Sequence, residues 1–372
     1  MASFPTQHQP ALACTLRQRA LVAVLVATTA LLTSCDDTAH ITAAVEALKS
    51  REKKVVAREA AIAQYERQLT DLKNQNERAL AEKERQLADS AAALERQRTE
   101  IAEIRKALEE QAAKAERQKA SLLERERRGP PPSVSAERIL IINPKNNEVL
   151  LEKNADRRGP VASTQKLLTA LIVAESGDLD QIVVAKKEDT QCGPVKIGLS
   201  EGEQYSRRQL LTALMVKSFN DIARAIARDN AGSIEAFATK MNARAKLLGM
   251  ADSNFVNPNG LPADGQYSTA RDMAKLAVAV DAVPAIREMI STRTFAFKHP
   301  NGQFRVMENT NRVLRNCEYC DGMKTGYTDA AGYCLISSGQ KDGKRRIVVV
   351  LNDTRDGVWR DSQALLDWSL KS

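Results

Sequence analysis

The chain has 372 residues, enough for two ordinary domains or for one domain with a long appendage. Its aromatic content of 4% is low, as in proteins where long helices rich in Ala, Glu, Arg and Gln dilute the aromatic residues. The net charge of +8 favours contact with anionic envelope surfaces but is too diffuse to indicate a nucleic-acid-binding protein, and the three histidines limit the chemistry that the chain can carry.

The amino terminus has the features of a lipoprotein signal peptide. Two arginines precede an apolar run at residues 20–32, which is too short to cross a bilayer as a mature helix. The run leads into Leu-Thr-Ser-Cys at residues 32–35, which resembles the bacterial lipobox, so residues 1–34 are predicted to be removed and Cys35 to be lipidated. An ordinary signal peptide with an incidental cysteine is the alternative. In the lipoproteins that this segment resembles, an aspartate after the cysteine favours retention at the inner membrane, and Asp36 stands at that position. The resemblance therefore implies a bacterial cell envelope, with the rest of the chain in the periplasm.

Residues 35–40 connect this anchor to a long predicted helix at residues 41–128, which has no proline or glycine and is rich in good helix formers. One apolar position recurs every seven residues, with a single step of eleven that is a stutter. The apolar positions are Ile41, Leu48, Val55, Ile62, Leu69, Leu80, Leu87, Leu94, Ile101, Leu108, Ala115 and Leu122. The second seam is largely polar, so a weak homo- or hetero-coiled coil and a single charged helix both remain open. Either form is a spacer about 130 Å long if unbroken.

A proline-rich linker at residues 129–133 is followed by a predicted domain at residues 134–372. Strands are predicted at 138–143, 148–152, 333–338 and 345–351, with a hairpin tip at 298–302. Helices are predicted at 163–175, 206–230, 233–248, 268–280 and 357–370, and the three middle ones have a serine near the start as a cap. Strands at both ends with helices between them predict the α+β class: one antiparallel sheet flanked by helices, with a helical insertion.

Two familiar kinds of hydrolase site are poorly supported. Residues 198–202 match G-x-S-x-G, but the preceding Cys-Gly-Pro-Val-Lys-Ile is not the buried strand that a nucleophile elbow needs. A serine triad also needs a histidine, and only His40 and His299 lie outside the leader. The same shortage of ligands, with no H-E-x-x-H motif, argues against zinc hydrolysis. No metal and no cofactor are expected.

Three short motifs together indicate a serine that is activated by a lysine. Residues 163–166 read Ser-Thr-Gln-Lys at a predicted helix start, a spacing that puts hydroxyl and amine on one face. The helix N-terminus and burial both help to keep that lysine neutral. Residues 218–220 read Ser-Phe-Asn, and residues 324–326 read Lys-Thr-Gly and lead into strands. The set in this order is typical of serine β-lactamases and penicillin-binding proteins.

The domain resembles the low-molecular-mass penicillin-binding proteins, which are serine-type D-Ala-D-Ala carboxypeptidases. The resemblance covers about Val134 to Leu370 and excludes the leader and the long helix. It is carried by PVASTQKLLT at 160–169, VKSFNDIA at 216–223, FVNPNGL at 255–261, YSTARDMA at 267–274 and DGMKTGYTDAAG at 321–332. It implies the β-lactamase/DD-peptidase-like fold, with peptidoglycan peptides as substrates and β-lactams as covalent inhibitors.

The resemblance also implies roles for the motif residues. Ser163 attacks the carbonyl between the two D-alanines, and Lys166 takes its proton. Ser218 relays that proton toward the leaving amine, while Asn220 binds the substrate amide. Water then hydrolyses the acyl-enzyme, which gives carboxypeptidase or endopeptidase activity.

The third motif is implied to bind the substrate. Lys324 and Thr325 hold the terminal carboxylate, and Gly326 lets the substrate backbone approach the strand edge. The backbone N–H groups of Ser163 and Tyr327 form the oxyanion hole.

Two alternative functions fit the motifs less well. A class A β-lactamase needs an additional Glu from an E-x-x-L-N segment, and none lies between Ser218 and Lys324. A catalytically weak or inactive envelope scaffold is the other alternative, because Phe219 stands where the resemblance predicts glycine. Phe219 is expected to point into the core, since its two neighbours both face the cleft.

Four cysteines lie in the predicted domain, and four allow three full pairings. Outside the inner membrane disulfides can form. A bridge between Cys317 and Cys320 is the favoured pairing, and Cys334 is expected to be a buried small apolar residue. No pairing is predicted for Cys192.

Overall fold

The computed structural model describes residues 38–371. The predicted signal peptide and Cys35 lie outside the described residues. The described chain divides into two units, one ending at Ala112 and the other beginning at Ala113.

Helix α1 spans Thr38–Arg128 and confirms the long helix predicted at 41–128. The large apolar residues of its seven-residue stripe, from Ile41 to Leu122, are exposed along the described chain. Among residues 38–371, no helix combines the length and the apolar character needed to cross a membrane.

The last turns of α1 belong to the second unit and pack on it. Glu124 forms ion pairs with Arg346 and with Lys344. The guanidinium of Arg128 lies 5.3 Å from the ring centroid of Trp368, and the indole N–H of Trp368 donates to the carbonyl of Gly129 at 3.0 Å. The helix end and the first linker residue are therefore held against the domain.

The domain is built on one five-stranded antiparallel sheet, in the order β2-β1-β9-β8-β7. The strands are β1 (Arg138–Asn143), β2 (Glu148–Lys153), β7 (Cys320–Thr328), β8 (Gly332–Lys341) and β9 (Lys344–Asp353). This confirms a sheet assembled from distant parts of the chain. β7 contains the K-T-G motif, for which a strand was predicted without bounds. It forms one edge of the sheet.

Helices and two small hairpins make up the rest of the domain. The helices are α2 (Lys166–Glu175), α3 (Arg207–Lys217), α4 (Asn220–Ala231), α5 (Ile234–Leu247), α6 (Ala270–Asp281), α7 (Pro284–Ser291), α8 (Arg312–Asn316) and α9 (Gly357–Leu370). The hairpins pair β3 (Ile182–Val184) with β4 (Gln204–Ser206), and β5 (Thr294–Lys298) with β6 (Phe304–Glu308). The second hairpin has the tip predicted at 298–302.

Both faces of the sheet are covered, because side chains alternate along a strand. Leu140 and Ile142 of β1 join the large core formed with the helical layer from α2 to α7. Ile139 and Ile141 face the opposite side, where they join a smaller core with Leu365 and other residues of α9. Apolar residues at successive positions of RILIIN are therefore explained by burial on two sides.

The helix predicted at 206–230 is wrong in one respect, because it is two helices. Ser218 adopts a left-handed conformation with φ of 66° and ends α3, and Phe219 is the N-cap of α4. Apolar residues continue through the break, so the periodicity gave no sign of it. A second difference is the cap of α6, where Thr269 rather than Ser268 accepts a hydrogen bond from the Asp272 N–H.

Candidate active site

Ser163 lies on a 3₁₀ turn at Ala162–Gln165, directly before α2. An α-helix was predicted from Ser163, so the local geometry is a correction. In a 3₁₀ turn the side chains of residues i and i+3 eclipse each other. Ser163 Oγ consequently lies 2.8 Å from Lys166 Nζ. The tighter turn aligns these two groups more directly than an α-helix does.

Lys166 is fully buried, and its amine contacts three oxygens. Nζ lies 2.8 Å from Asn220 Oδ1 and 2.6 Å from the Asn259 carbonyl, in addition to Ser163 Oγ. Burial lowers the pKa of Lys166 well below its usual range, and the nearby Lys324 lowers it further. A neutral amine has two N–H groups and one lone pair. The two N–H groups match the asparagine oxygens, so the lone pair is left for the serine proton.

The S-x-N segment contributes one residue directly to this network. Asn220 accepts from Lys166 and donates from Nδ2 to the Pro194 carbonyl at 2.5 Å. Its backbone N–H donates to the carbonyl of Val195 at 2.8 Å, so the asparagine is fixed on both sides. Ser218 lines the same cleft, but its buried hydroxyl has no hydrogen-bond partner within residues 38–371. The structure therefore joins Asn220, and not Ser218, to Lys166.

The K-T-G segment lies on β7. Lys324 is fully buried, its Nζ donates to the Thr325 carbonyl at 3.0 Å, and burial lowers the pKa of Lys324 to about 7. The Thr325 hydroxyl is 2.8 Å from the Thr310 hydroxyl. Lys324 is consequently only partly charged at neutral pH, and the adjacent hydroxyl pair is fixed.

Gly326 brings β7 against the turn that carries Ser163. A Cβ at Gly326 would lie 2.8 Å from the Ser163 nitrogen and 3.0 Å from the Thr164 nitrogen, closer than real side-chain contacts allow. The approach of a substrate backbone at Gly326 stays a prediction, and in the structure the close neighbour of this glycine is the protein backbone. Next to it, Tyr327 has a half-exposed side chain that donates to Asp329 at 2.7 Å.

These groups border a cleft of about 490 Å³. Ser163, Ser218, Asn220, Thr325, Gly326 and Tyr327 all line it, together with Lys217, Glu308, Arg312 and Arg315. Three basic side chains against one acidic side chain favour an anionic ligand. A serine beside a buried amine whose pKa is lowered can carry out acyl transfer, and the charge of the cleft favours an acyl donor that is anionic.

Comparison with known proteins shows the family of the chain. The sequence profile of Peptidase_S11, described as D-alanyl-D-alanine carboxypeptidase, matches residues 125–355. The chain belongs to this family.

Members of the family are similar to the chain over its domain. D-alanyl-D-alanine carboxypeptidase DacF of Bacillus subtilis is 34% identical over 220 residues, which is 58% of this chain and 57% of DacF. DacA of Escherichia coli is 32% identical over 253 residues, which is 64% of this chain and 62% of DacA. The crystal structure of a D-alanyl-D-alanine carboxypeptidase from Mycobacterium tuberculosis is 30% identical, with a TM-score of 0.61 over 64% of this chain and 92% of that one. The chain thus spans about 60% of the length of these two curated relatives.

Sequence reasoning missed several groups of this family member's site. Asn259 contributes a backbone carbonyl to Lys166, and a backbone atom has no side-chain signature in a sequence. Its segment, 255–261, was noticed only through the family resemblance. Pro194 and Val195 contribute carbonyls that hold Asn220, and they lie beside the rejected G-x-S-x-G segment. The sequence signal that could have indicated this contact is Asp221, which is next to the S-x-N motif. Its buried carboxylate accepts the backbone N–H groups of residues 197–199, just after Pro194 and Val195.

The serine of the G-x-S-x-G segment and the histidine that a triad would need both have structural roles. Ser200 lies in an exposed loop, and its backbone N–H donates to Glu203 at 2.7 Å. His299 lies at the tip of the β5–β6 hairpin, where its ring meets Phe297 edge-on with centroids 5.1 Å apart. Neither side chain lines the cleft.

Phe219 belongs to the core, as expected. Its side chain is 4% exposed, it is part of the large apolar cluster, and it is not among the residues that line the cleft. The guanidinium of Arg305 covers its ring at 5.7 Å from the centroid. The bulky residue in the S-x-N motif therefore does not narrow the cleft.

Replacing Phe219 with glycine is expected to lower the free energy of unfolding by about 3–5 kcal/mol, because a large buried side chain is lost and a cavity remains. Thermal or denaturant unfolding measures this change. Phe304→Gly is the matched control, since Phe304 is 64% exposed and its loss is expected to change stability by less than about 1 kcal/mol. Faster acylation by bulky β-lactams with an unchanged melting temperature would contradict the core position.

The expected disulfide between Cys317 and Cys320 is wrong for this structure, where both are free thiols. Burial raises the pKa of both thiols, that of Cys320 to about 12. Cys334 is buried on β8, as predicted, and Cys192 is also a free thiol. The two-residue spacing suggested a bridge. In the structure Cys317 caps the end of α8 and Cys320 is the first residue of β7, so the two cysteines belong to different elements.

Proposed function

We propose that the chain is a serine-type D-Ala-D-Ala carboxypeptidase or DD-endopeptidase that acts on peptidoglycan stem peptides through an acyl-enzyme on Ser163. The observation that carries this proposal is the 2.8 Å contact between the Ser163 hydroxyl and the buried amine of Lys166. The lysine needs to be neutral to accept a proton, and its lowered pKa supports that state. Family membership and the basic cleft agree with an acyl donor that ends in a carboxylate.

The proposed reaction has two halves. Ser163 Oγ bonds to the carbonyl carbon of the penultimate D-alanine as its proton passes to Lys166. The backbone N–H groups of Ser163 and Tyr327 stabilise the oxyanion. The C–N bond breaks as the leaving amine takes the proton that Lys166 received, by way of the Ser218 hydroxyl. Water then attacks the ester, which restores Ser163 and releases the shortened peptide. Lys324 and Thr325 hold the terminal carboxylate during the first half.

D-alanine release tests this function. The full chain is incubated with a peptide that ends in D-Ala-D-Ala, with the same peptide ending in D-Ala-L-Ala, and with a crosslinked dimer. We expect D-alanine from the first peptide, none from the second, and cleavage of the dimer if the chain is an endopeptidase. An absence of cleavage together with an absence of penicillin binding would favour an inactive envelope scaffold.

We infer that the domain stands on a lipid-anchored spacer. In this proposal residues 1–34 are a signal peptide, Cys35 carries the acyl chains in the inner membrane, residues 41–128 form the spacer and residues 129–133 the linker to the periplasmic domain at 134–372. The exposed apolar stripe of α1 supports a weak coiled coil with a second copy or another helix.

Cys35→Ser is expected to release the mature protein from membranes or to leave the precursor uncleaved, because the acyl chains supply most of the binding energy, about 0.8 kcal/mol per buried methylene. Labelling with radioactive palmitate measures this directly. Cys192→Ser is the matched control, since that thiol lies in the domain and its loss leaves the label unchanged. Equal palmitate labelling of the wild type and Cys35→Ser would contradict the anchor.

A further inference from the structure

An arginine in the cleft has no role in the reaction described so far. Arg312 is the first residue of α8, and its guanidinium lies 5.3 Å from the ring centroid of Trp359. Trp359 is near the start of α9, and both side chains line the same cleft as Ser163 and Thr325. Residues from two different elements thus present one cation to the substrate side of the molecule.

The charge of Arg312 is not neutralised. None of the ion pairs found within residues 38–371 includes it, whereas the neighbouring Arg315 pairs with Glu308 at 2.5 Å. Stacking on an aromatic ring orients a guanidinium and leaves its N–H groups free at the edge. Arg312 is therefore an oriented donor of two parallel hydrogen bonds, the geometry that matches a carboxylate.

The backbone that carries Arg312 is fixed beside Thr325. Thr310, two residues earlier, contacts the Thr325 hydroxyl at 2.8 Å and donates its N–H to the Val216 carbonyl at 3.0 Å. Asn311 between them caps α8 by accepting from the backbone N–H groups of Val313 and Leu314. The cap therefore holds the backbone from which the Arg312 side chain extends.

Arg312 also differs from Lys324 in how it keeps its charge. Lys324 is fully buried, donates to a backbone carbonyl and has a pKa of about 7, so it supplies only part of a positive charge at neutral pH. A guanidinium stays charged throughout the physiological range. A carboxylate placed on the Thr325 hydroxyl is therefore better matched by Arg312 than by Lys324 alone.

We propose that Arg312, held on Trp359, is a substrate-binding residue that recognises the free terminal carboxylate of the peptide and so sets the preference for acids over amides at that end. This inference rests on the proposed function, since it concerns the same substrate. It predicts that the preference depends on the guanidinium of Arg312 and not on an exposed guanidinium outside the cleft, such as that of Arg355.

The test compares two peptides that differ only in a terminal carboxylate or carboxamide. For Arg312→Gln, kcat/KM toward the acid is expected to fall by about 10- to 100-fold, while kcat/KM toward the amide changes by less than about 3-fold. Arg312→Lys is expected to recover part of the preference. Arg355→Gln, the matched control, removes an exposed guanidinium that does not line the cleft, and it is expected to keep the preference within about 2-fold.

A binding measurement separates this inference from the proposed function. The dissociation constants of the same two peptides are measured on Ser163→Ala and on Ser163→Ala combined with Arg312→Gln. Loss of the acid preference in the double variant supports the inference even if the wild type shows no turnover. An unchanged preference, or an equal loss for acid and amide, overturns it even if the wild type is an active peptidase.

Discussion

Ser163→Ala is expected to abolish covalent labelling by a fluorescent penicillin. Its hydroxyl is the one that contacts the buried amine of Lys166, at 2.8 Å, and it lines the cleft. Removal of the oxygen removes the hydroxyl that would form the ester with the acyl group. Labelling followed on a denaturing gel measures the effect, because a covalent adduct survives denaturation and a reversible complex does not.

Ser200→Ala is the matched control for this variant. Ser200 is the centre of the G-x-S-x-G segment and lies in an exposed loop. We expect that variant to be labelled like the wild type. Undiminished labelling of Ser163→Ala, or lost labelling of Ser200→Ala with an intact fold, would contradict the assignment of the nucleophile.

Lys166→Met is expected to slow acylation by about 10²- to 10⁴-fold, the usual contribution of a general base. Methionine keeps the length of the side chain but has no lone pair that can take the serine proton. Lys166→Arg is expected to be equally slow, since arginine cannot be deprotonated in this pH range. The rate of acylation of the full chain by penicillin measures both, with the melting temperature as the check on folding. Retained activity in Lys166→Arg would show that a positive charge, and not a base, is required.

The same lysine sets a pH dependence for the wild type. Lys166 works as a base only when it is neutral, so acylation is lost as the pH falls through its lowered pKa. Lys324 binds the carboxylate only when it is charged, so its share of binding falls as the pH rises through about 7. The expected profile of kcat/KM is bell-shaped. The guanidinium of Arg312 limits the loss on the alkaline side, because it keeps its charge.

Regular elements were predictable where a repeating pattern coincided with burial. RILIIN, residues 345–351 and the closing helix at 357–370 have strong apolar patterns, and strands at both ends of the domain predicted a single antiparallel sheet, although not the order of its strands. The break at Ser218 was not predictable, because the apolar pattern of the sequence continues past this residue although its backbone is left-handed.

The residues of the site were predictable where a motif of side chains identifies them. S-x-x-K, S-x-N and K-T-G identify Ser163, Lys166, Asn220 and Lys324, which the structure brings to one cleft or its buried wall. The contacts that tune Lys166 were not predictable, because the Asn259 carbonyl is backbone and its place depends on a distant segment. Arg312 was missed for a similar reason, since its significance depends on Trp359, 47 positions later in the chain.

Mass spectrometry of the acylated wild type tests the central claim most directly. Trypsin cuts after Arg158 and after Lys166, so Ser163 is the one serine of the peptide Gly159–Lys166. After reaction of the full chain with penicillin, or with a thioester analogue of the D-Ala-D-Ala peptide, we expect the mass of the acyl group on this peptide and on its serine. An adduct on another peptide, or an unmodified chain at saturating reagent, would contradict acyl transfer through Ser163.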